Sequence, residues 1–261
     1  MPWTFAHPAA VLPLRPLCRN RLSLGALIVG SMTPDIGYYF GCFALATKAH
    51  TLQGLVAICL PGGLALLVLI RVLHKPVAVL LPFPHRQALL SLPQLQKLTT
   101  PVTLCYASIG IIIGATTHIA WDSFTHRTGY LVSRWPILQT PVFELGGRTF
   151  RLFELLQHVS TALGVSILIF AYIRWIRGVD RGADPPRTVD EHWRYGVLVT
   201  ITATSIVVGV PVAYFASTSS LGGTNVALFV VRCAICCTTV FAVMLCAASL
   251  VVARRVRSGI P

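Results

Sequence analysis

His118, Asp122 and His126 stand four residues apart in the segment GATTHIAWDSFTHRTGY. On an α-helix that spacing puts all three side chains on one face, about one turn apart, where they can converge on a cation as the paired histidines of helical zinc sites do. A random apolar helix rarely ends with three ligand types in step, so the spacing reads as a metal-site signature. The segment directly follows the apolar run Leu104 to Ala115, which puts the signature at the edge of a membrane.

The composition requires that membrane. The chain has 261 residues, of which 55% are hydrophobic and only 11% charged, with a mean hydropathy of +0.73, a balance that excludes an ordinary soluble domain. The net charge is +13, from 21 Lys and Arg against 8 Asp and Glu. In a soluble chain that excess would point to nucleic acid. Here the bases fall in short loops between apolar runs, so membrane lipid is the expected partner and nucleic acid is not.

Five apolar runs approach or exceed the roughly 20 residues a helix needs to cross a bilayer: Leu52 to Leu73, Thr103 to Trp121, Leu152 to Ile176, Val197 to Tyr214 and Val226 to Ala253. His7 to Leu17 and Leu22 to Met32 are shorter and are split by the basic turn Cys18-Arg19-Asn20-Arg21, which fits a short hairpin dipping partway in. The expected architecture is all-α: a multi-pass transmembrane helical bundle, with an N-terminal short helical hairpin and about five long helices. Residues 1–176 form the expected metal-site domain, 177–194 a polar cytoplasmic loop, and 195–261 a C-terminal helix pair.

Basic residues set the orientation. Arg15, Arg19 and Arg21 lie at the base of the hairpin, and Arg71 and Lys75 follow the first long helix, with Arg86 and Lys97 in the loop after it. Arg174, Arg177, Arg181 and Arg187 follow the third long helix, and Arg254, Arg255 and Arg257 follow the last. These loops alternate and read as cytoplasmic, in a cytoplasmic (inner) membrane. The loop Asp122 to Arg151 breaks the rule with Arg127, Arg134, Arg148 and Arg151. Those arginines either contact lipid phosphates or anchor the helix ends at the interface.

The same topology brings other ligand types to the non-cytoplasmic end. His7 opens the hairpin, Asp35 ends its second arm, and His50 closes the next loop. His118, Asp122 and His126 end a helix that runs toward that face, and Glu154 and His158 begin the one that runs back. Acids are scarce. Asp180, Asp184, Asp190 and Glu191 fall in one polar loop where they solvate, whereas Asp35, Asp122 and Glu154 flank histidines. A carboxylate in an apolar helix costs roughly 2.5–3.5 kcal/mol on insertion scales, so each wants a cation or a donor. Simpler readings stand beside these: Asp35 as the N-cap of a helix through Ile36 to Leu45, Glu154 and His158 as an i,i+4 pair, and His50 as a loop histidine.

The order His7-Pro8, Pro34-Asp35, His50 and then His118-x3-Asp122-x3-His126 resembles the zinc-dependent phospholipase C and single-strand nuclease group. It is closer still to the bacterial membrane-bound metal-dependent hydrolases. The opening PWTFAHPAAVLPLRPL with SMTPD also resembles a family of multi-pass bacterial membrane proteins of unknown function. The resemblance to the hydrolases covers roughly residues 1–160 and implies a metal-bound hydroxide attacking a phosphodiester. It implies Asp122 as the carboxylate bridging two metals, with Asp35, His50 and His118 completing one site, His126 and His158 contributing to another, and His7 serving any third. Asp35 and Asp122 are thereby the candidate catalytic carboxylates. Two departures reduce the expected cluster to one or two ions. Trp3 follows Met-Pro with no signal peptide before it, whereas the soluble enzymes use a processed N-terminal tryptophan, and Glu154 precedes His158 where they place the carboxylate second.

Zinc suits neutral His and ionised Asp, although Mn²⁺ and Fe²⁺ suit the same donors. The Cys233-x2-Cys236-Cys237 cluster has no partner pair and lies mid-helix, so it reads as apolar packing. Three function classes follow: a membrane-bound metal-dependent hydrolase of phosphodiesters, with phospholipid as candidate substrate; a non-catalytic membrane protein with a structural or vestigial metal site; and a transporter. Against transport, the polar residues gather at one end and no pair of repeated interrupted helices is visible.

Overall fold

A computed structural model describes residues 3–18, 23–92, 99–179, 191–218 and 226–258. The basic turn at Arg19-Asn20-Arg21, Lys97, the loop residues Asp180, Arg181, Asp184, Arg187 and Asp190, and most of the link before Val226 lie outside them. Among the described residues the fold is an all-α bundle with one small β-hairpin.

The N-terminal hairpin is built from α1 (Pro8–Val11), continued by a 3₁₀ stretch to Cys18, and α2 (Leu24–Gly30). Ser23 caps α2 by accepting from the Ala26 N–H. After a 3₁₀ turn at Thr33–Asp35 come two short helices, α3 (Ile36–Tyr39) and α4 (Phe43–Ala49). Gly41, at φ 69°, takes the left-handed turn between them. The expected helix through Leu45 is therefore broken.

The first long helix, α5 (Leu52–Leu80), contains a π-helical stretch at Leu55–Cys59. It runs past the expected end at Leu73, so Arg71, His74 and Lys75 belong to its last turns and do not follow it. Long basic side chains tolerate this because their stems lie along apolar surface while their heads reach polar surroundings. After α6 (His85–Ser91), the second long helix α7 (Pro101–Thr125) starts from a reciprocal capping box between Thr100 and Thr103. Then follow α8 (Tyr130–Arg134) and a β-hairpin absent from the sequence expectations, β1 (Pro141–Leu145) and β2 (Arg148–Arg151). Its turn is Gly146-Gly147, both at positive φ, the geometry a two-residue hairpin turn needs. The remaining long helices are α9 (Leu152–Arg177), α10 (Glu191–Ser217) and α11 (Val226–Ser258).

Among the described residues, five helical stretches are long and apolar enough to cross a membrane: Leu52–Leu80, Pro101–Arg134, Leu152–Arg177, Glu191–Ser217 and Leu228–Val252. The chain is built as a multi-pass membrane protein.

The chain forms two compact units, Met1–Val68 with Leu95–Arg174, and Leu69–Gln94 with Trp175–Pro261. Residues 69–94 thus group with the last two helices and not with the expected metal-site segment. The core of the first unit is the packing of α2 on α7. Both approach through glycines: a Cβ on Gly114 would lie 2.2 Å from the Leu27 carbonyl oxygen, and one on Gly30 would lie 2.3 Å from that of Ile111. Gly110-x3-Gly114 is the small-residue spacing by which membrane helices approach closely. Ala26, Val29, Leu67, Ala107 and Ile111 fill the space beside them.

In the second unit, Gly209 of α10 meets Cys237 of α11. Glu191 does not simply solvate. Its carboxylate accepts from the Phe83 backbone N–H at 3.1 Å and pairs with Arg194 and Arg86, while the buried Arg194 also donates to the Val79 carbonyl at 2.9 Å.

Candidate metal centre

Helix α7 delivers the central donors. His118 and Asp122 lie on its buried face, and His126 caps its end with its backbone N–H on the Asp122 carbonyl. The glycine-mediated approach of α2 brings the Ser31 carbonyl to 2.7 Å from His118 Nδ1. A carbonyl only accepts, so Nδ1 carries a proton and Nε2 is the nitrogen that faces inward. His50, at the C-terminus of α4, is oriented in the same way by the Ala46 carbonyl, 2.8 Å from its Nδ1. Orientation of an imidazole by a carbonyl on its far nitrogen is characteristic of metal-ligating histidines.

Asp35 arrives from the 3₁₀ turn, 1% exposed. It makes no capping bond to α3. Instead its Oδ2 accepts from the Thr4 hydroxyl at 2.6 Å, which leaves Oδ1 facing the histidines. His7, at the start of α1, stacks on His118 with ring centroids 3.6 Å apart.

Six of the eight expected residues meet. Asp122 Oδ2 lies 3.2 Å from His118 Nε2 and 3.4 Å from His50 Nε2. Asp35 Oδ1 lies 3.5 Å from His50 Nε2 and 3.6 Å from His118 Nε2. On the other side, Asp122 Oδ1 lies 3.3 Å from His126 Nδ1 and 3.6 Å from His7 Nε2. These separations exceed the 2.7–2.9 Å usual for a charge-assisted hydrogen bond. They match the edges of a tetrahedron, since donors 2.0–2.1 Å from one ion stand about 3.3–3.4 Å apart. His7, Asp35 and His118, and likewise His50, His118 and Asp122, offer donor atoms that all lie within 4.8 Å of one another.

Burial leaves these atoms without other partners. His7 Nε2, Asp35 Oδ1, His118 Nε2, Asp122 Oδ1 and His126 Nε2 are buried and make no hydrogen bond among the described residues. An unsatisfied buried polar atom costs about 1–3 kcal/mol, and four of these, on His7, Asp35, His118 and Asp122, aimed into one space call for a ligand. Burial drives the His7 imidazole down to about 3, so it is neutral at physiological pH. Burial pushes the Asp35 carboxyl up, but the His118 imidazole and the Thr4 hydroxyl outweigh it and hold it below its ordinary range. At His50, burial pushes down and the Asp122 carboxylate and Ala46 carbonyl outweigh it upward.

Glu154 and His158 do not join the cluster. Glu154 accepts from Arg148 of the hairpin at 2.6 Å and from the Arg151 backbone N–H at 3.0 Å, while His158 lies on an exposed part of α9. Trp3 packs edge-on against Phe5, also outside the cluster. Sequence reasoning missed Thr4, the Ser31 carbonyl and the glycines. Only the Gly110-x3-Gly114 spacing carried a readable signal.

An all-α membrane chain with a buried cluster of two carboxylates and four imidazoles is the class that fold and site define. The chain belongs to the family described as Domain of unknown function (DUF4184), whose model matches residues 1–254 and so also takes in the last two helices. No curated protein matches the chain, and neither does any solved structure.

Proposed function

We propose that the chain is a membrane-bound, metal-dependent hydrolase of phosphodiesters, with zinc as the first choice of ion. The observation that carries this reading is the set of donor separations of 3.2–3.6 Å around Asp122 and Asp35. His50, His118 and Asp122 Oδ2, whose donor atoms all lie within 4.8 Å of one another, would hold one ion. The other group close enough for one ion is His7, Asp35 and His118, and three protein donors are the open arrangement of catalytic sites. A bound Zn²⁺ supplies a water of pKa about 7 and a Lewis acid for a phosphoryl oxygen.

The chain's own residues fix this environment. Thr4, Ser31 and Ala46 aim the donors, and the two carboxylates supply the charge that balances a cation. A cavity of about 370 Å³ is lined by Arg127, the residue after His126, and by Arg148 and Arg151, donors suited to a phosphate group, together with Glu154. The basic residues near the opposite helix ends support a site on the non-cytoplasmic side of a cytoplasmic membrane.

The test uses purified protein in detergent, loaded with zinc, and hydrolysis of bis(p-nitrophenyl) phosphate. Turnover should vanish on chelation, return with zinc and be absent from Asp122→Ala. A purely structural ion is the second reading, favoured by Asp35 Oδ1, which lies 3.5 Å from His50 and 3.6 Å from His118 and would close the open position as a fourth donor. Stoichiometric zinc with no turnover on soluble or lipid diesters favours that second reading.

A further inference from the structure

A cleft of about 530 Å³ runs beside the cluster, walled by α1, α7 and α9. On α9 it is lined by Leu156, Val159, Ser160, Leu163, Gly164 and Ile167, which recur every three or four positions and so form one continuous face. At 1.5 Å per residue that face is about 16 Å long. A bilayer's hydrocarbon core is roughly 30 Å thick, so the cleft is as deep as one leaflet. Trp121 and Phe124 of α7 and the small Ala9 and Ala10 of α1 form the opposite side.

Two of its polar lining residues belong to the donor cluster or adjoin it, while the third, Ser160, donates its hydroxyl to the Gln157 carbonyl. His7, whose buried Nε2 is unpartnered and lies 3.6 Å from Asp122 Oδ1, lines the cleft, as does Thr125, whose hydroxyl lies 3.4 Å from His126 Nδ1. The cleft therefore opens on the side of Asp122 that faces His7 and not on the side that faces His50.

We propose that this cleft seats the hydrocarbon chain of an amphiphilic phosphodiester, which enters sideways from the membrane and presents its head group to His7, Asp122 and His126. The identification of the chain as a substrate's rests on the hydrolase reading above; its binding does not. Both long walls belong to helices apolar enough to cross a membrane, so the cleft's surroundings are hydrocarbon, and a water-soluble diester gains nothing from an apolar wall. Small residues keep the cleft open: Ala10 is exposed, and Gly164 approaches Ala6 so closely that a Cβ would lie 2.9 Å from its carbonyl oxygen.

The experiment reconstitutes the full chain in phosphatidylcholine vesicles containing a phosphatidylcholine with a diazirine on its acyl chain, and maps photolabelled peptides. Labelling should concentrate on the α9 segment 156–167 and on α1. Ala10→Trp and Leu163→Trp, from opposite walls, should each lower that labelling and reduce the ratio of long-chain to short-chain diester turnover by about ten-fold or more, with zinc content unchanged. If one variant fails to fold, the other carries the test. Labelling spread evenly over all lipid-facing helices, or unchanged in the tryptophan variants, overturns the inference even where soluble diesters are hydrolysed. Concentrated labelling without any hydrolysis keeps the chain site and sinks the hydrolase reading alone.

Discussion

Replacing Asp122 with alanine removes the one carboxylate that faces both donor groups. Its Oδ2 stands 3.2 and 3.4 Å from His118 and His50, and its Oδ1 stands 3.3 and 3.6 Å from His126 and His7. His126→Ala, by contrast, takes a donor from the second group only. Asp122→Ala should lose the ion that the wild type holds with His50 and His118, whereas His126→Ala should keep it. Ligation stabilises the folded state by about 4 kcal/mol when free metal exceeds its Kd a thousandfold. For a chain of this size each kcal/mol moves the melting temperature by about 2–4 °C, so zinc should raise that of the wild type by roughly 8–16 °C. The rise should disappear in Asp122→Ala and on chelation. Elemental analysis and thermal unfolding of the detergent-purified protein measure both quantities. Wild-type protein that stays metal-free after zinc loading refutes the reasoning, as does an alanine variant that keeps wild-type zinc and the full thermal shift.

Three further outcomes follow from individual contacts. Thr4→Val removes the hydroxyl that donates to Asp35 Oδ2, and zinc affinity should fall about 10–100-fold with the fold retained, as outer-shell losses do, measured by competition with a chelator. Gly114→Leu forces a Cβ to within 2.2 Å of the Leu27 carbonyl oxygen, so α2 must withdraw from α7; stability should drop by about 1–3 kcal/mol or more, with zinc lost alongside, seen in thermal unfolding and metal content. His158→Ala changes an exposed residue outside the cluster, and zinc content should equal the wild type's; loss of an ion there would contradict the ligand set described above.

The sequence by itself determined the elements whose signals are local. Five apolar runs are long because a helix must span hydrocarbon, and His118, Asp122 and His126 share a face because a helix turns every 3.6 residues. The scarcity of acids carried the reading further, since a carboxylate such as Asp35 beside an apolar run wants a cation or a donor, although an N-cap role was equally open to it. Local spacing also misled. Glu154 and His158 show the same four-residue step as His118 and Asp122, but the carboxylate is captured by Arg148 from a hairpin that only the Gly146-Gly147 turn hinted at.

Only the tertiary structure decided which atoms face inward. No spacing links Thr4 to Asp35 across 31 positions or Ser31 to His118 across 87. Those contacts exist because glycines let α2 and α7 approach until a backbone carbonyl reaches an imidazole, and that fixes which nitrogen is left to bind. Side-chain type and period are written along the chain; the direction of a lone pair depends on groups far away in sequence, brought near by packing.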